Sequence, residues 1–185
     1  MIKRVQFVTK NREKMVVCMV SRTGRNLQRY NKGQRLVVGI CRKCRCIPYR
    51  YTINDELEVL MISSQKGQAM MFPKGGWELD ESVEEAASRE SIEEAGVLGI
   101  VEPELGKWIV KSKSRAIYHE GYMFPLLVTE QLDLWPEKNL RRREWMSVTE
   151  AREVCKQIWM KEALDMLVER INSREDQEDV FQSSP

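Results

Sequence analysis

The sequence predicts an α/β domain built on a mixed β-sheet with helices packed against it. Three observations lead there. Short runs of aliphatic and β-branched residues recur through the first two-thirds of the chain, a capped helix interrupts them between Ser82 and Ala95, and a longer helical pattern closes the domain between Val148 and Ile171. With 185 residues and 42% hydrophobic content, the chain can bury one sizeable core. Residues 1–20 are expected to form an N-terminal extension, 21–171 the folded domain, and 172–185 a disordered acidic tail.

Taken in order, residues 1–14 are basic, with Glu13 the single acid, and read as a flexible tail or a short targeting segment. Residues 21–35 are polar and turn-rich. Their cations, Arg22, Arg25, Arg29, Lys32 and Arg35, suit either a solubilising loop or a lip that grips phosphate. Leu36 to Ile40 and Ile47 to Ile53 read as strands, separated by the segment Cys41 to Cys46. The spacing of Cys41, Cys44 and Cys46 invites a zinc assignment. A structural zinc needs four ligands, however, and His119 is the single histidine. Arg50 is a candidate phosphate contact. Glu58 to Ser63 reads as a buried strand and Met70 to Phe72 as a short one.

Next come Lys74, Gly75 and Gly76. The glycine pair allows a tight turn that brings bare backbone close to a ligand, and a lysine beside it can contact phosphate. Ser82 and Glu85 have the spacing of a capping box and Gly96 that of a C-cap, so the helix runs from about Ser82 to about Ala95. Plotted at about 100° per residue, Val83, Ala86 and Ala87 share the side that should face the core. One turn later Glu90, Glu93 and Glu94 occupy that same side. Like charges so placed repel, and more strongly when shielded from water. One neighbouring cation, Arg89, cannot neutralise three carboxylates. Hard divalent ions such as Mg²⁺ or Mn²⁺ can, because they take oxygen ligands.

After this helix, Gly99 to Val110 and Ala116 to Thr129 read as strands. Between them Lys111, Lys113 and Arg115 mark a charged hairpin tip or a second anion-binding patch. Glu120 on the following strand is a further candidate carboxylate. The basic triplet Arg141 to Arg143 precedes a short strand, and Ser147 with Glu150 forms a second capping box. Apolar residues then keep helical spacing to Ile171, as one helix or as two broken near Gln157.

Gly75, five residues, Glu81, seven residues, Arg89-Glu90, then Glu93-Glu94, Ala95 and Gly96-Val97 match the pattern G-x5-E-x7-R-E-U-x-E-E-x-G-U. The chain therefore resembles the Nudix family, with one departure. Ser91 stands where the family has a bulky aliphatic residue, which implies close packing of the helix on its neighbour. The resemblance implies an α/β/α sandwich around a central mixed sheet, a divalent-metal cofactor, Mg²⁺ or Mn²⁺, and hydrolysis of a phosphoric anhydride bond. Pyrophosphate hydrolysis needs an activated water and neutralised phosphate charge, and such an ion supplies both. The family pattern makes Glu90 and Glu94 metal ligands and Glu93 either the catalytic base or a further ligand, with Glu93 and Glu94 the catalytic pair. It places Glu81 and Arg89 as supports that orient those groups.

The form PKGGWE, the later WPE segment and RRREW resemble the plant-type branch that includes diphosphoinositol polyphosphate phosphohydrolases and diadenosine polyphosphate hydrolases. The expected partner is thus a small-molecule polyphosphate, with Arg35, Arg50, Lys74, Gly75, Gly76, Lys113 and Arg115 the candidate phosphate contacts. An ADP-ribose or NADH pyrophosphatase and an RNA decapping enzyme are sibling readings. A non-catalytic binding module is the rival of a different class. The net charge of +2 gives no reason to expect nucleic acid or membrane as a partner. No apolar run is long enough for a membrane span. Five cysteines, an odd number, fit a reducing compartment. A monomer in the cytoplasm or nucleus is expected, with the mitochondrion as the alternative.

Overall fold

The structure, a computed structural model, describes residues 39–65, 67, 69–111 and 117–182. Its centre is a parallel pair of long strands, β1 (Gly39–Tyr51) and β7 (Ile117–Gln131), in register from Gly39 opposite Ile117 to Tyr49 opposite Leu127. Every other pairing is antiparallel. β2 (Leu57–Ser63) lies beside β1, β3 (Met70–Met71) and β8 (Arg143–Ser147) pair with β2, and β4 (Lys74–Gly76) pairs with β1. β5 (Val97–Val101) and β6 (Gly106–Lys111) both pair with β7. The sheet is mixed, as expected.

Side chains alternate across the central strands and build a core on each face. Cys44, Cys46, Leu60, Ile62, Phe124 and Leu126 meet Ala86 and Ala87 of α1 (Val83–Glu90) on one face. Ile47, Tyr49, Val59, Met61 and Met123 meet Ala163, Leu164 and Leu167 of α3 (Ile158–Gln182) on the other. α2 (Val148–Val154) adds Ala151 to this second core. Both capping boxes are formed: Ser82 Oγ accepts from the Glu85 N–H at 3.1 Å, and Ser147 Oγ from the Glu150 N–H at 3.3 Å.

Three expectations are corrected. Cys41 to Cys46 does not separate two strands; it lies within β1, and Cys44 and Cys46 point into the α1 core because residues two apart share a face. The expected strand Gly99 to Val110 is two strands, β5 and β6. Of the two forms expected for the closing helix, the chain takes the broken one, since it leaves helical geometry at Cys155 (ψ 106°). Residues 172–182, expected to be disordered, continue α3. They contain neither glycine nor proline, and extending a packed helix requires no new nucleation. Arg174 in this part of the helix pairs with Glu102 at 2.8 Å.

The helix that begins as α1 changes pitch before it ends. Ser91–Ala95 form a π turn, and Gly96 closes it in the left-handed conformation (φ 63°, ψ 40°) with its N–H bonded to the Ile92 carbonyl. A β-carbon at Gly96 would lie 2.7 Å from both Arg143 Nη1 and the Trp135 ring. Gly96→Ala therefore meets backbone strain and a clash together. We expect it to cost at least ~1–2 kcal/mol and to lower the Tm by several degrees. Urea or thermal melts that place the variant within error of the parent would contradict this account of the turn.

Candidate active site

The α1 helix and its π turn bring Glu90, Glu93 and Glu94 below the surface, at 8%, 5% and 5% exposure. Arg89, 3% exposed, is their organiser. Its Nε and Nη2 donate to the two oxygens of Glu81 at 2.9 and 2.8 Å, its Nη1 donates to Glu90 Oε1 at 2.6 Å, and Nη2 also donates to the Gly76 carbonyl at 2.9 Å. Glu93 Oε2 lies 3.6 Å from Arg89 Nη1. Burial alone would lower the Arg89 guanidinium. Its hydrogen bonds to Glu81 and the charges of Glu90, Glu81 and Glu93 outweigh it and hold the group above its ordinary value.

Glu81 is fixed in turn by the Glu78 N–H at 3.0 Å, and the Trp77 indole donates to the Glu81 carbonyl at 2.9 Å. Glu81 and Arg89, the two residues expected to orient the site, are thus bonded to each other. Glu94 is gripped from two sides. The Lys74 N–H donates to Oε2 at 2.8 Å, and Arg141 pairs with Oε1. Arg141 also donates to Glu137 at 2.6 Å and to the Ser63 carbonyl at 3.0 Å. The Glu137 N–H meets the Glu93 carbonyl at 3.1 Å, so the 132–141 segment closes over the end of the helix.

The glycine pair acts differently from the expectation. Lys74–Gly76 is a short strand on β1 instead of a tight turn, and neither glycine has a positive φ. Gly75 is required because a β-carbon there would fall 1.9 Å from the Glu90 carboxylate. The bare backbone makes room for a metal-ligand candidate of the protein itself.

One predicted phosphate contact and two arginines of the basic triplet are engaged elsewhere. Arg50 pairs with Glu58 at 2.8 Å and stacks on Trp145 at 4.1 Å. Arg141 faces inward to Glu94. Arg143 caps the box helix, donating to the Ala95 and Gly96 carbonyls at 3.0 Å each while stacking on Trp135 at 4.0 Å. A run of three arginines gives no sign of which members turn inward. Sequence reading therefore missed the Glu94–Arg141–Glu137 set, for which the i,i+4 spacing of Glu137 and Arg141 was the available clue. The Lys74 side chain is mostly buried, which lowers its ammonium despite the nearby charge of Glu94. Glu120 accepts from the Tyr122 hydroxyl at 3.3 Å on β7. Arg35, Lys113 and Arg115, with the basic stretch 21–35, lie outside the described residues.

Among the described residues no three acidic, cysteine or histidine side chains already converge on one point. The donor set nonetheless fits a hard dication. Glu81, Glu90, Glu93 and Glu94 face two guanidinium groups, Arg89 and Arg141, so buried negative charge is in excess. Burial pushes the Glu90 carboxyl up against the opposing charges of Arg89 and Lys43. It pushes Glu94 up to about 7, opposed by Lys74 and Arg141. Carboxylates raised in this way are short of positive charge.

Comparison with known proteins agrees with this geometry. The NUDIX domain model matches residues 51–167. Nudix hydrolase 17, mitochondrial, of Arabidopsis thaliana is 68% identical over 87% of this chain and 88% of its own. Diphosphoinositol polyphosphate phosphohydrolase 3-alpha of Mus musculus is 35% identical over 63% of this chain and 70% of its own. Among solved structures, a C. elegans Ap4A hydrolase binary complex shares the fold at 17% identity and a TM-score of 0.59, covering 72% of this chain and 98% of that one. With its glycine strand, its arginine-bound glutamates and this kinship, the chain belongs to the Nudix hydrolases, enzymes that act on pyrophosphate bonds and generally use divalent metal ions.

Proposed function

We propose that the chain is a Mg²⁺- or Mn²⁺-dependent pyrophosphohydrolase of small, highly phosphorylated molecules, either inositol pyrophosphates or diadenosine polyphosphates. The observation that carries the proposal is the buried excess of carboxylates at Glu90, Glu93 and Glu94, set against the bare backbone of Gly75. Glu90 and Glu94 would hold the ion, with Glu93 as a further ligand or the base. When bound, the ion supplies neutralisation of phosphate charge and a more acidic water. The protein's own part is positional. Arg89 fixes Glu90 and Glu81, the Lys74 N–H fixes one oxygen of Glu94, and the segment around Glu137 keeps solvent from the end of the helix.

The substrate class is supported by kinship with the mouse diphosphoinositol polyphosphate phosphohydrolase and by the abundance of cations, not by the engaged arginines 50, 141 and 143. The compartment is proposed on similar grounds. A relative at 68% identity is named as mitochondrial, which favours the mitochondrion, the alternative expectation, over the cytoplasm.

Phosphate release from inositol pyrophosphate, diadenosine hexaphosphate and ADP-ribose, measured side by side with each ion, tests the reading. Preference for a polyphosphorylated ligand is expected, and preference for ADP-ribose would replace it with the nucleotide-sugar alternative. Glu94→Gln should lower kcat by about 100-fold. Undiminished hydrolysis of every diphosphate tested would remove Glu94 from the reaction.

A second expectation concerns pH. Glu94 in the folded protein titrates at about 7, above its ordinary 4.5, so the native state keeps a proton that the unfolded chain has released. Its stabilising contribution is complete below pH 4.5 and is lost as the pH rises through 7. The metal-free parent should lose Tm across this window relative to Glu94→Gln. Stabilisation by Mn²⁺ should run the other way and grow with pH, because the ion needs the carboxylate. Melting curves for both proteins that stay parallel from pH 5 to about 8 would show that Glu94 titrates normally.

A further inference from the structure

Among the described residues, Arg45 is the buried cation of the central sheet for which the catalytic account has no use. It lies on β1 at 5% exposure, and its Nε and Nη1 have no hydrogen-bond acceptor. Buried guanidinium nitrogens without partners are rare in folded proteins and call for an explanation. No carboxylate pairs with Arg45 among the described residues. The neighbouring thiols supply no charge either, since burial pushes Cys44 well up and Cys46 up to about 12. Burial lowers Arg45 itself to about 10, so it remains charged at neutral pH.

The surroundings are shaped around this group. The guanidinium carbon sits 4.6 Å from the Trp159 ring at the start of α3. Beneath it lies Gly121 of β7, where a β-carbon would fall 1.0 Å from Arg45 Nη1, so glycine is what leaves the head group its place. Along the same stretch of sheet Arg45 is in register with Lys74 and Lys43 with Gly76, next to the box glycines. The charge of Lys43 acts on Glu90 and that of Lys74 on Glu94. Lys43 and Lys74 thus lie within electrostatic reach of Glu90 and Glu94, and among the described residues no carboxylate balances Arg45.

We infer that Arg45, held between Trp159 and Gly121 and flanked by Lys43 and Lys74, is an anion subsite that receives a non-reacting phosphate group of the substrate. A guanidinium fork with free N–H groups matches phosphate oxygens. Its head group lies on the α3 face of the sheet, beside β4, the strand whose backbone meets Glu94 through the Lys74 N–H. The phosphate would supply the acceptors that Nε and Nη1 lack. The role of this phosphate in turnover rests on the proposed pyrophosphohydrolase reading; the anion site itself does not.

The test uses the full-length, metal-free protein with inorganic tripolyphosphate as the probe. The parent's Tm should rise by about 3 °C or more at saturation. Arg45→Met should abolish the rise and Arg45→Lys should keep part of it. Gly121→Ala, which leaves the charge but displaces the head group, should diminish it. In turnover of diadenosine hexaphosphate or inositol pyrophosphate, Arg45→Met should raise KM about tenfold with kcat within about twofold of the parent. If Arg45→Met does not fold, Gly121→Ala carries the same comparison. A parent that tripolyphosphate does not stabilise, or stabilisation equal in parent and variants, overturns the subsite. An Arg45-dependent rise in a parent that hydrolyses no diphosphate leaves the subsite standing and removes the pyrophosphohydrolase reading instead.

Discussion

The site depends on one buried guanidinium. Arg89 joins elements that have no other reason to meet: the carbonyl of Gly76 on β4, the Glu81 carboxylate at the entry to α1, and Glu90 at its end. Only arginine has enough donors in a fixed plane for three acceptors at once. The arrangement is electrostatically one-sided. The cation that organises the acids does not neutralise them, and its own burial is tolerable because so much negative charge surrounds it. Everything nearby is subordinate to this balance. Gly75 gives up a side chain so that Glu90 can reach Arg89, and Arg141 enters from the segment before β8 to hold Glu94.

The π turn links this electrostatic core to the fold. It widens the last turn of the helix and ends on Gly96, whose missing side chain admits Arg143 and Trp135. Ser91, in the position where the family carries a bulky aliphatic residue, is fully buried. Its Oγ donates to the Ala87 carbonyl at 3.0 Å, a local bond that suits a distorted helix. Its full burial is what close packing of the helix on its neighbour requires.

Features encoded by neighbouring residues are legible in the amino-acid order itself. The capping boxes at Ser82 and Ser147, the stop at Gly96 and the inward face of Glu90, Glu93 and Glu94 all follow from spacing. What cannot be read there is whatever depends on distant partners. Nothing near Arg141 announces Glu94, and nothing near Arg50 announces Trp145. The cysteine-rich segment reads as an interruption because its lysine and arginines hide the two-residue period that Cys44 and Cys46 obey. Gly75 is recognisable as a close approach, but the approaching group is a glutamate of the same chain.

The parallel pairing of β1 with β7 has a consequence during synthesis. β1 leaves the ribosome early, yet the strand that covers its long flank comes only after the catalytic helix, β5 and β6 have been made. Until then one side of β1 is an open row of amides and carbonyls, able to recruit another nascent strand. A message cut short before Ile117 would therefore yield a polypeptide with all the glutamates of the site and no completed sheet to hold them, a product for chaperones and proteases instead of a smaller enzyme.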